Sequence, residues 1–417
     1  MSATLSSNPG RVLVISHLPI LPATAGNKIR VWALMNNLRA LGHEVWFMGL
    51  GLKPHEEQAL RAAWGDNLHI VPYVSVRDAK PRLNALKRWT LDRAVGEGWI
   101  KPDLDYRIWP HWDEALRKVA AEQHFDIVIV EYVFYSKALQ YFPDAVKVID
   151  THDVYTDRAR KMASRKIKSH YWSLAREQEA QGLARADVIL AIQKHERAFF
   201  DELTGGQKQV LVVGHTVALR PLPAPASAAQ TLLFVGTRYA ANVDGARYFI
   251  EKVMPLLRER FPAVRLLVAG TVCEQLNAGA PGVELLGVVD RLEDAYSRAG
   301  IVVNPVLAGT GLKTKTVEAL GHAKPLVTTA CGAEGIEDAA GTAFLMADEP
   351  AGIAAHVLSL MESPEAAEQL AERGFQFATQ WNEAQIATLR GLGQPAPGAA
   401  EPESSNPCAA PEPASTF

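Results

Sequence analysis

The stretch "NPVLAGTGLKTKTVEALGHAKPLVTT", residues 304 to 329, joins two short apolar runs through glycines, lysines and a glutamate. A glycine-rich loop that leads into a helix offers free N–H groups and the positive end of the helix dipole, which suit a diphosphate. The pattern predicts a helix that begins near Thr310 to Leu312, with Lys313 and Lys315 adding positive charge. Glu318 lies about one turn beyond Thr314, where a carboxylate can accept hydrogen bonds from vicinal ribose hydroxyls. As residue types alone, the loop is equally compatible with a tight turn and solvated lysines.

The same rhythm of short apolar strands and amphipathic helices extends on both sides of this loop. Non-alternating apolar strands separated by helices indicate a parallel sheet that is covered on both faces. In the second half, the predicted strands are "TLLFVG", "VRLLVAG", "VELLG", "AGIVVNP" and "KPLVTTA". In the first half, they are "RVLVISHLP", "HEVWFMGL", "HFDIVIVEY", "AVKVIDTHD" and "ADVILAIQ". The prediction is an α/β protein of two facing, doubly wound, Rossmann-like domains with a ligand cleft between the carboxyl ends of their strands.

The proline-rich segment 219–230, "LRPLPAPASAAQ", has linker composition and marks the domain boundary. The first domain is predicted at 11–218, after a tail at 1–10, and the second at 231–375. A last helix is predicted at 376–392, and the tail 393–417 has the Pro, Ala and Glu content of a disordered segment.

Composition excludes several classes of protein. At 417 residues, 48% hydrophobic and 21% charged, the chain is an ordinary globular protein that is long enough for two cores. The net charge of -3 gives no reason to expect nucleic-acid binding. Cys273, Cys331 and Cys408 are odd in number and widely spaced, which favours reduced thiols over a disulfide framework or a zinc site. With no apolar run of membrane-spanning length and no visible secretory signal, the expected location is the cytoplasm.

Two long stretches carry a resemblance to a known family: "LLFVGTRYAANVDGARYFIEKVMPLLRERFPAVRLLVAG" and "VELLGVVDRLEDAYSRAGIVVNPVLAGTGLKTKTVEALGHAKPLVTTACGAEGI". They resemble the retaining glycosyltransferases of the GT-B fold, and among them glycosyltransferase family 4, or "group 1". The first half resembles the family more weakly, in "RVLVISHLPILPATAGNKIRVWALMNNLRALGHEV" and "VIDTHDVYTDR". With the closing "WNEAQIATLRGL", which resembles the family's last helix packing back on the first domain, the likeness covers about 11–392.

The resemblance implies an enzyme that moves a sugar from a nucleotide-sugar donor to a glycan or lipid-linked acceptor, with retention of configuration and without a bound metal or other cofactor. The expected setting is the biosynthesis of cell-surface polysaccharide or glycoconjugates. Two other functions fit the same scaffold, since fold does not fix function. One is a nucleotide-sugar epimerase or hydrolase, and the other is a non-catalytic protein that binds a nucleotide or glycan.

In the second domain, the resemblance makes Glu318 the ribose-binding glutamate of the family's E-x7-E motif. The first glutamate of that motif falls at Thr310 and is missing, so the backbone of Gly309, Thr310, Gly311 and Leu312 is expected to contact the donor sugar. Arg238 matches one member of a diphosphate-binding pair, whereas Asn242 stands where a lysine is often found. Because that lysine is missing, neutralisation of the donor diphosphate is expected to depend more on Lys313 and Lys315.

The backbone around Val289, in the segment Val288 to Asp290, is expected to recognise the base.

In the first domain, Gly26 in "PATAGNKIR" falls where relatives have a glycine-rich loop near the phosphates, and glycine lets a backbone approach a ligand closely. Asn27, Lys28 and Arg30 are polar candidates there; a helix start with solvated charges is the alternative for the two cations.

Glu131 and His152 each follow a predicted strand at its carboxyl end. Glu131 falls where many relatives carry a catalytic-site histidine, which implies a catalytic role, with packing as the alternative. The loop position of His152, followed by Asp153, is equally compatible with a binding or catalytic role and with a structural histidine.

The basic run between residues 158 and 168 is either a solvated helix face or a contact with anionic lipid at the inner face of the membrane. The segment "IWPHW", residues 108–112, is either core or an aromatic platform for the acceptor.

Overall fold

The structure is a computed structural model that describes residues 9–392 apart from 24, 74–89, 91–103, 109, 159–172, 224, 278 and 310. Thr310, most of the basic run and the terminal tails therefore lie outside the described residues. Cys273 and Cys331 are both half-buried.

The first sheet is parallel throughout, with strand order β3-β2-β1-β4-β5-β6-β7. Its strands are β1 Arg11–Ser16, β2 Glu44–Leu52, β3 Leu68–Pro72, β4 Ile127–Glu131, β5 Val146–Asp150, β6 Val188–Ala191 and β7 Gln209–Val212. The central strands are apolar at nearly every position because helices cover both faces, as their lack of alternation predicts.

The second sheet is also parallel, with strand order β10-β9-β8-β11-β12-β13. Its strands are β8 Thr231–Val235, β9 Arg265–Ala269, β10 Val283–Gly287, β11 Ile301–Asn304, β12 Leu326–Thr328 and β13 Leu345–Met346. The two sheets have separate hydrophobic cores, so the predicted architecture of two doubly wound units is confirmed.

Helices cover the faces of both sheets and supply the loops of the cleft. The α-helices are α1 Gly26–Ala40, α2 Pro54–Trp64, α3 Pro110–Glu122, α4 Arg176–Leu183, α5 Lys194–Leu203, α6 Ala240–Tyr248, α7 Met254–Arg260, α8 Leu292–Ser297, α9 Thr314–Gly321, α10 Pro350–Glu362 and α11 Pro364–Arg390. A π-helical segment, Phe249–Val253, joins α6 to α7. Short 3-10 helices lie at Leu104–Arg107, Val133–Tyr141, Ala226–Ala228, Thr271–Gln275 and Glu337–Ala339. Trp112, in the aromatic segment, is buried in the first core, which favours the packing interpretation.

The last helix, α11, begins at Pro364 rather than at residue 376, because Ser363 caps it by accepting the N–H of Ala366 and proline suits the first turn. Its first part packs on the second sheet's core. Near its other end, the Nε1 of Trp381 donates to the carbonyl of His215 at 2.7 Å, and Leu389 is part of the first core. The helix therefore fastens the two units together.

The strand orders fix where a ligand can bind. In each sheet, successive strands are added first on one side of the first strand and then on the other. The strand order therefore reverses between β1 and β4 in the first sheet and between β8 and β11 in the second. Open parallel sheets bind ligands outside the carboxyl ends of the strands at such a switch point. Gly26 at the start of α1 and Glu131 at the end of β4 lie there on one side, and the loop residues Arg238 and Gly309 lie there on the other.

None of the described helices has the length and apolar character that a membrane crossing requires.

Candidate functional site

A cleft of about 610 Å³ opens between the two sheets, on the side of the carboxyl strand ends. Residues of the first unit that line it include Gly26, Asn27, Arg30, Tyr132, His152, Asp153, Arg158, Ile192 and His215. Residues of the second unit that line it include Thr237, Asn242, Val289, Gly309, Leu312, Lys313, Thr314, Lys315 and Glu318. Most of the residues that the sequence nominates thus lie on one wall or the other.

The glycine loop before α9 takes backbone conformations that other residues rarely adopt. Gly309 has φ 143° and Gly311 has φ 73°, and α9 begins at Thr314, later than the sequence predicts, because these glycines keep the chain out of the helix. Lys313 occupies the N-cap position, and its Nζ donates to the carbonyl of Gly311 at 2.6 Å and to the Oε2 of Glu334 at 3.1 Å. A primary amine therefore lies at the positive end of a helix, beside the cleft.

Lys315 lies on the first turn of α9 under the same loop. Its Nζ lies 4.6 Å from the centre of the Phe234 ring and donates to the Oδ1 of Asn242 at 2.5 Å. Burial, followed by repulsion from Lys313, lowers the pKa of Lys315 to about 7. Asn242, at the position where a lysine is often found in similar sequences, thus orients Lys315.

Glu318 lies on the next turn of α9 and lines the cleft. The Oη of Tyr296 donates to its Oε2 at 3.4 Å. Burial raises the pKa of Glu318 to about 7, although the bond from Tyr296 opposes the shift. Among the described residues, Tyr296 is thus the one hydrogen-bond partner of this carboxylate, and the bond is long enough to leave the oxygens available to a ligand hydroxyl.

The start of α1 brings the first unit close to this loop. A Cβ placed on Gly26 would lie 3.5 Å from the Oγ1 of Thr314, so the two helix starts approach one another across the cleft. Beside Gly26, the Nδ2 of Asn27 donates to the Oη of Tyr132 at 3.0 Å. Lys28 makes no part of the cleft wall among the described residues, unlike Arg30.

Arg30 is buried and bound to the carboxylate at the end of β5. Its Nε lies 2.8 Å from the Oδ2 of Asp150 and its Nη2 lies 2.5 Å from the Oδ1. Arg30 is 5% exposed and Asp150 is fully buried. The alternative of a solvated cation therefore does not apply to Arg30.

Glu131 and His152 form a hydrogen-bonded pair between the Oε2 of the acid and the Nε2 of the imidazole. Burial, followed by repulsion from Asp150, raises the pKa of Glu131 to about 7. The ring of Tyr132 stacks on that of His152 with 4.1 Å between centroids, and both residues have positive φ, 71° and 63°. Glu131 is fully buried behind His152, so it reaches the cleft through the imidazole.

Glu131, Asp150 and His152 also place one potential metal ligand each within 4.8 Å of one another. The guanidinium of Arg30 already holds both oxygens of Asp150, and His152 is bonded to Glu131. A metal ion would have to displace Arg30 from Asp150 and Glu131 from His152, so the cluster is better described as an ion-pair network.

Arg238 lies in the loop after β8, and Val289 lies in the loop after β10. The side chain of Arg238 is 73% exposed and lies 3.8 Å from Glu274, while its backbone N–H donates to the Oγ1 of Thr271 at 2.9 Å. Arg238 is not among the described residues that line the cleft, whereas Thr237 and Val289 are. A role for Arg238 therefore requires its side chain to turn inward.

Sequence reasoning missed several polar side chains at the junction of the two units. Gln193, Glu196 and His215 are all buried, and burial lowers the pKa of His215 to about 4. Glu334, which holds Lys313, was missed as well. The available signal was weak: "AIQKHE" follows a strand as His152 does, but local pattern cannot show what a loop of the other unit touches.

Comparison with protein families matches residues 229–363 to the model described as "Glycosyl transferases group 1". That range contains the second sheet and the glycine loop. A curated relative, an uncharacterized 44.6 kDa protein in cps region of Klebsiella pneumoniae, is 25% identical over 158 residues, or 35% of this chain. The match spans 41% of that relative's length.

Solved structures resemble the chain over nearly its whole length. Sucrose-phosphate synthase from Thermosynechococcus elongatus superposes with a TM-score of 0.64 at 16% identity, over 92% of this chain and 98% of that one. Anabaena HepE in complex with UDP-glucose gives 0.62 at 12% identity, over 92% and 100% of the chains. The pneumococcal O-GlcNAc transferase GtfA in complex with UDP and GlcNAc gives 0.63 at 8% identity, over 91% and 97%. Together with the two facing parallel sheets, these likenesses identify the fold as GT-B.

Proposed function

We propose that the protein is a glycosyltransferase that takes a sugar from a nucleotide-sugar donor. The observation that carries the proposal is the convergence of the α9 amino end, Lys313, Lys315 and Glu318 on one cleft between two GT-B sheets. Anionic and hydroxyl-bearing parts of a nucleotide sugar would find complementary groups there. The match of residues 229–363 to group 1 glycosyltransferases and the UDP complexes of structural neighbours support it.

In the proposed mechanism, the protein acts mainly by stabilising the leaving group. Breaking the anomeric C–O bond leaves negative charge on the departing diphosphate, and preorganised cations and N–H groups lower the barrier by stabilising that charge. Lys313, Lys315 and the first N–H groups of α9 fill that role, and Arg238 joins them by turning inward. The leaving phosphate takes the proton of the acceptor hydroxyl on the same face of the sugar, so configuration is retained and no bound metal is required.

The remaining residues divide between the two substrates. Glu318 binds the ribose, and the backbone of the loop Gly309 to Leu312 binds the donor sugar, with Gly26 close to the phosphates. The backbone at Val289 binds the base. The pair Glu131–His152 lies on the opposite wall, where a glycan or lipid-linked acceptor of cell-surface biosynthesis would enter.

Donor binding is testable by thermal denaturation with UDP-, GDP-, ADP- and dTDP-sugars, each with and without magnesium. One nucleotide class is expected to stabilise the protein, since a ligand at 100 times its dissociation constant adds about 2.7 kcal/mol to the folded state. Glu318→Ala is expected to abolish the shift, because the ribose loses its carboxylate. Glu251→Ala, an exposed residue of the same unit, is the control and should keep it.

The same assay separates the other functions. Absence of any shift would remove the donor site from this cleft. A shift without turnover would favour a non-catalytic binding protein, and turnover of donor in the absence of acceptor would favour an epimerase or hydrolase. Equal shifts with and without magnesium support the metal-free mechanism.

Lys315 gives this binding a pH dependence. Its pKa is about 7 in the free protein because of burial, and an anionic diphosphate nearby stabilises the protonated form. Binding therefore takes up a proton at Lys315, and this contribution to the affinity for the nucleoside diphosphate is expected to fall as pH rises from about 6 to 8.5. Glu318, whose pKa is also about 7, contributes in the opposite direction, because ribose hydroxyls stabilise its ionised form. Titration calorimetry on the wild type and on Lys315→Met across that range separates the two. The variant should bind more weakly, and the ratio of wild-type to variant affinity should fall as pH rises; a ratio that does not change with pH would contradict the assignment.

A further inference from the structure

Glu196, on the first turn of α5, has one carboxylate oxygen that is hydrogen-bonded and one that has no partner among the described residues. Its Oε2 accepts the N–H of Ile192 at 3.0 Å, which is an ordinary capping interaction. Its Oε1 is buried and accepts no hydrogen bond from any described residue, although Glu196 is only 4% exposed. A buried acceptor without a donor costs free energy, so capping explains only half of this side chain.

Gln193, the N-cap residue of the same helix, repeats the arrangement. Its Nε2 donates to the Oε1 of Glu334 at 3.4 Å across the junction of the two units. Its own Oε1 is buried and finds no donor in the described part of the chain, and Gln193 is 3% exposed. Two unsatisfied acceptors therefore project from one helical turn.

Both oxygens face glycines of the second unit. A Cβ placed on Gly311 would lie 3.7 Å from the Oε1 of Glu196, and one placed on Gly335 would overlap Gln193. Gly311 belongs to the loop that leads into Lys313, and Ile192, which Glu196 holds, lines the cleft. Glu196 thus presents an acceptor to the loop expected to surround the donor sugar, and Gln193 presents one to the segment around Gly335. Neither residue is among the described residues that line the cleft itself, so a ligand reaches them only beside that loop.

The chemistry of the missing partner follows from what these oxygens can accept. The amide oxygen of Gln193 and the ionised carboxylate of Glu196 can only accept hydrogen bonds, so neither can bond to an ionised phosphate, whereas sugar hydroxyls are donors of suitable size. We propose that Glu196 and Gln193 form a hydroxyl-binding subsite for the transferred sugar and make the cleft select a nucleotide sugar over the bare nucleoside diphosphate. The proposal rests on the proposed function and adds residues of the first unit to the donor site.

The test compares two ligands on each variant by calorimetry: UDP-glucose and UDP, or the equivalent pair for the nucleotide class that stabilises the wild type. Glu196→Gln can keep the bond from the N–H of Ile192 while replacing the other acceptor by an amide donor. Measured at pH 8.5, above the pKa of about 8 of Glu196, the affinity of this variant for UDP-glucose is expected to fall roughly tenfold or more, with UDP binding within twofold of the wild type. Gln193→Met should shift the ratio in the same direction.

The matched control is Glu202→Gln on the same helix, an exposed carboxylate that pairs with Arg176 at 2.7 Å, and it should leave both affinities unchanged. Equal losses for UDP-glucose and UDP in Glu196→Gln would mean a structural role and would overturn the proposal. So would unchanged affinities in both the Glu196 and Gln193 variants. If the wild type binds UDP-glucose no tighter than UDP, sugar selection is absent and the inference fails while nucleotide binding stands.

A second readout is the pH dependence of the same ratio. Burial, followed by repulsion from Asp153, raises the pKa of Glu196 to about 8, with Arg30 opposing the shift and Glu334 adding to it. A hydroxyl donating to the carboxylate stabilises its ionised form, so sugar binding releases a proton. The preference for UDP-glucose over UDP should therefore grow as pH rises towards 8, and this growth should be missing in Glu196→Gln.

Discussion

Replacing Lys313 by alanine is expected to lower the rate of sugar transfer about 100-fold or more, the scale on which losing one preorganised charge contact acts. Lys313 contacts the glycine loop directly: its Nζ donates to the carbonyl of Gly311 and to Glu334, and its side chain is 12% exposed. Such a fixed, partly desolvated cation stabilises the departing diphosphate more strongly than a solvated one. The measurement is kcat with the donor identified by thermal denaturation.

Two further variants make the result for Lys313→Ala interpretable. In Lys313→Ala, Glu334 is left without its lysine and could itself repel the phosphate, so Lys313→Ala/Glu334→Gln removes that charge as well. If the double variant is as slow as the single one, the loss belongs to the missing cation. Lys252→Ala, an exposed lysine of the same unit, should leave kcat unchanged. Activity within threefold of the wild type in Lys313→Ala would reject the assignment.

The sequence predicted the architecture well because apolar, non-alternating strands between amphipathic helices admit few arrangements. It also predicted the glycine loop and Glu318 in the cleft wall, since a strand end, a glycine pair and a helix start are adjacent in the chain. The helix start was placed too early, because whether Gly309 and Gly311 adopt positive φ depends on the loop's surroundings. These successes concern interactions between residues that lie close in sequence.

The junction of the two units could not be predicted in the same way. The bond between Gln193 and Glu334 joins residues 141 positions apart, and the ion pair of Arg30 joins it to Asp150, 120 positions away. A single sequence shows no pattern that links such positions. Arg30 was expected as a candidate ligand or a solvated charge, and only the fold shows that it neutralises a buried carboxylate.

The ion pair between Arg30 and Asp150 is expected to be important for stability. Arg30→Met should lower the free energy of unfolding by roughly 3–5 kcal/mol, the usual cost of leaving a buried charge without its partner. Asp150 would then lie beside Glu131 with no guanidinium, and His152 would lose the ordered carboxylates that set its place in the cleft. Chemical denaturation of the variant measures the loss. Arg39→Met, at the exposed end of the same helix with its guanidinium 4.0 Å from the Trp64 ring centre, should cost about 1 kcal/mol or less.

A double variant distinguishes an unpaired charge from poor packing. Without Arg30, the buried carboxylate of Asp150 has lost the guanidinium that holds both of its oxygens. Removing that carboxylate as well should restore stability if the loss comes from the unpaired charge, and should not restore it if the loss comes from packing. Arg30→Met/Asp150→Leu removes both charges and should recover most of the loss. A deficit below 1 kcal/mol for Arg30→Met, or no recovery in the double variant, would mean that the pair does not hold His152 and the first wall of the cleft in place.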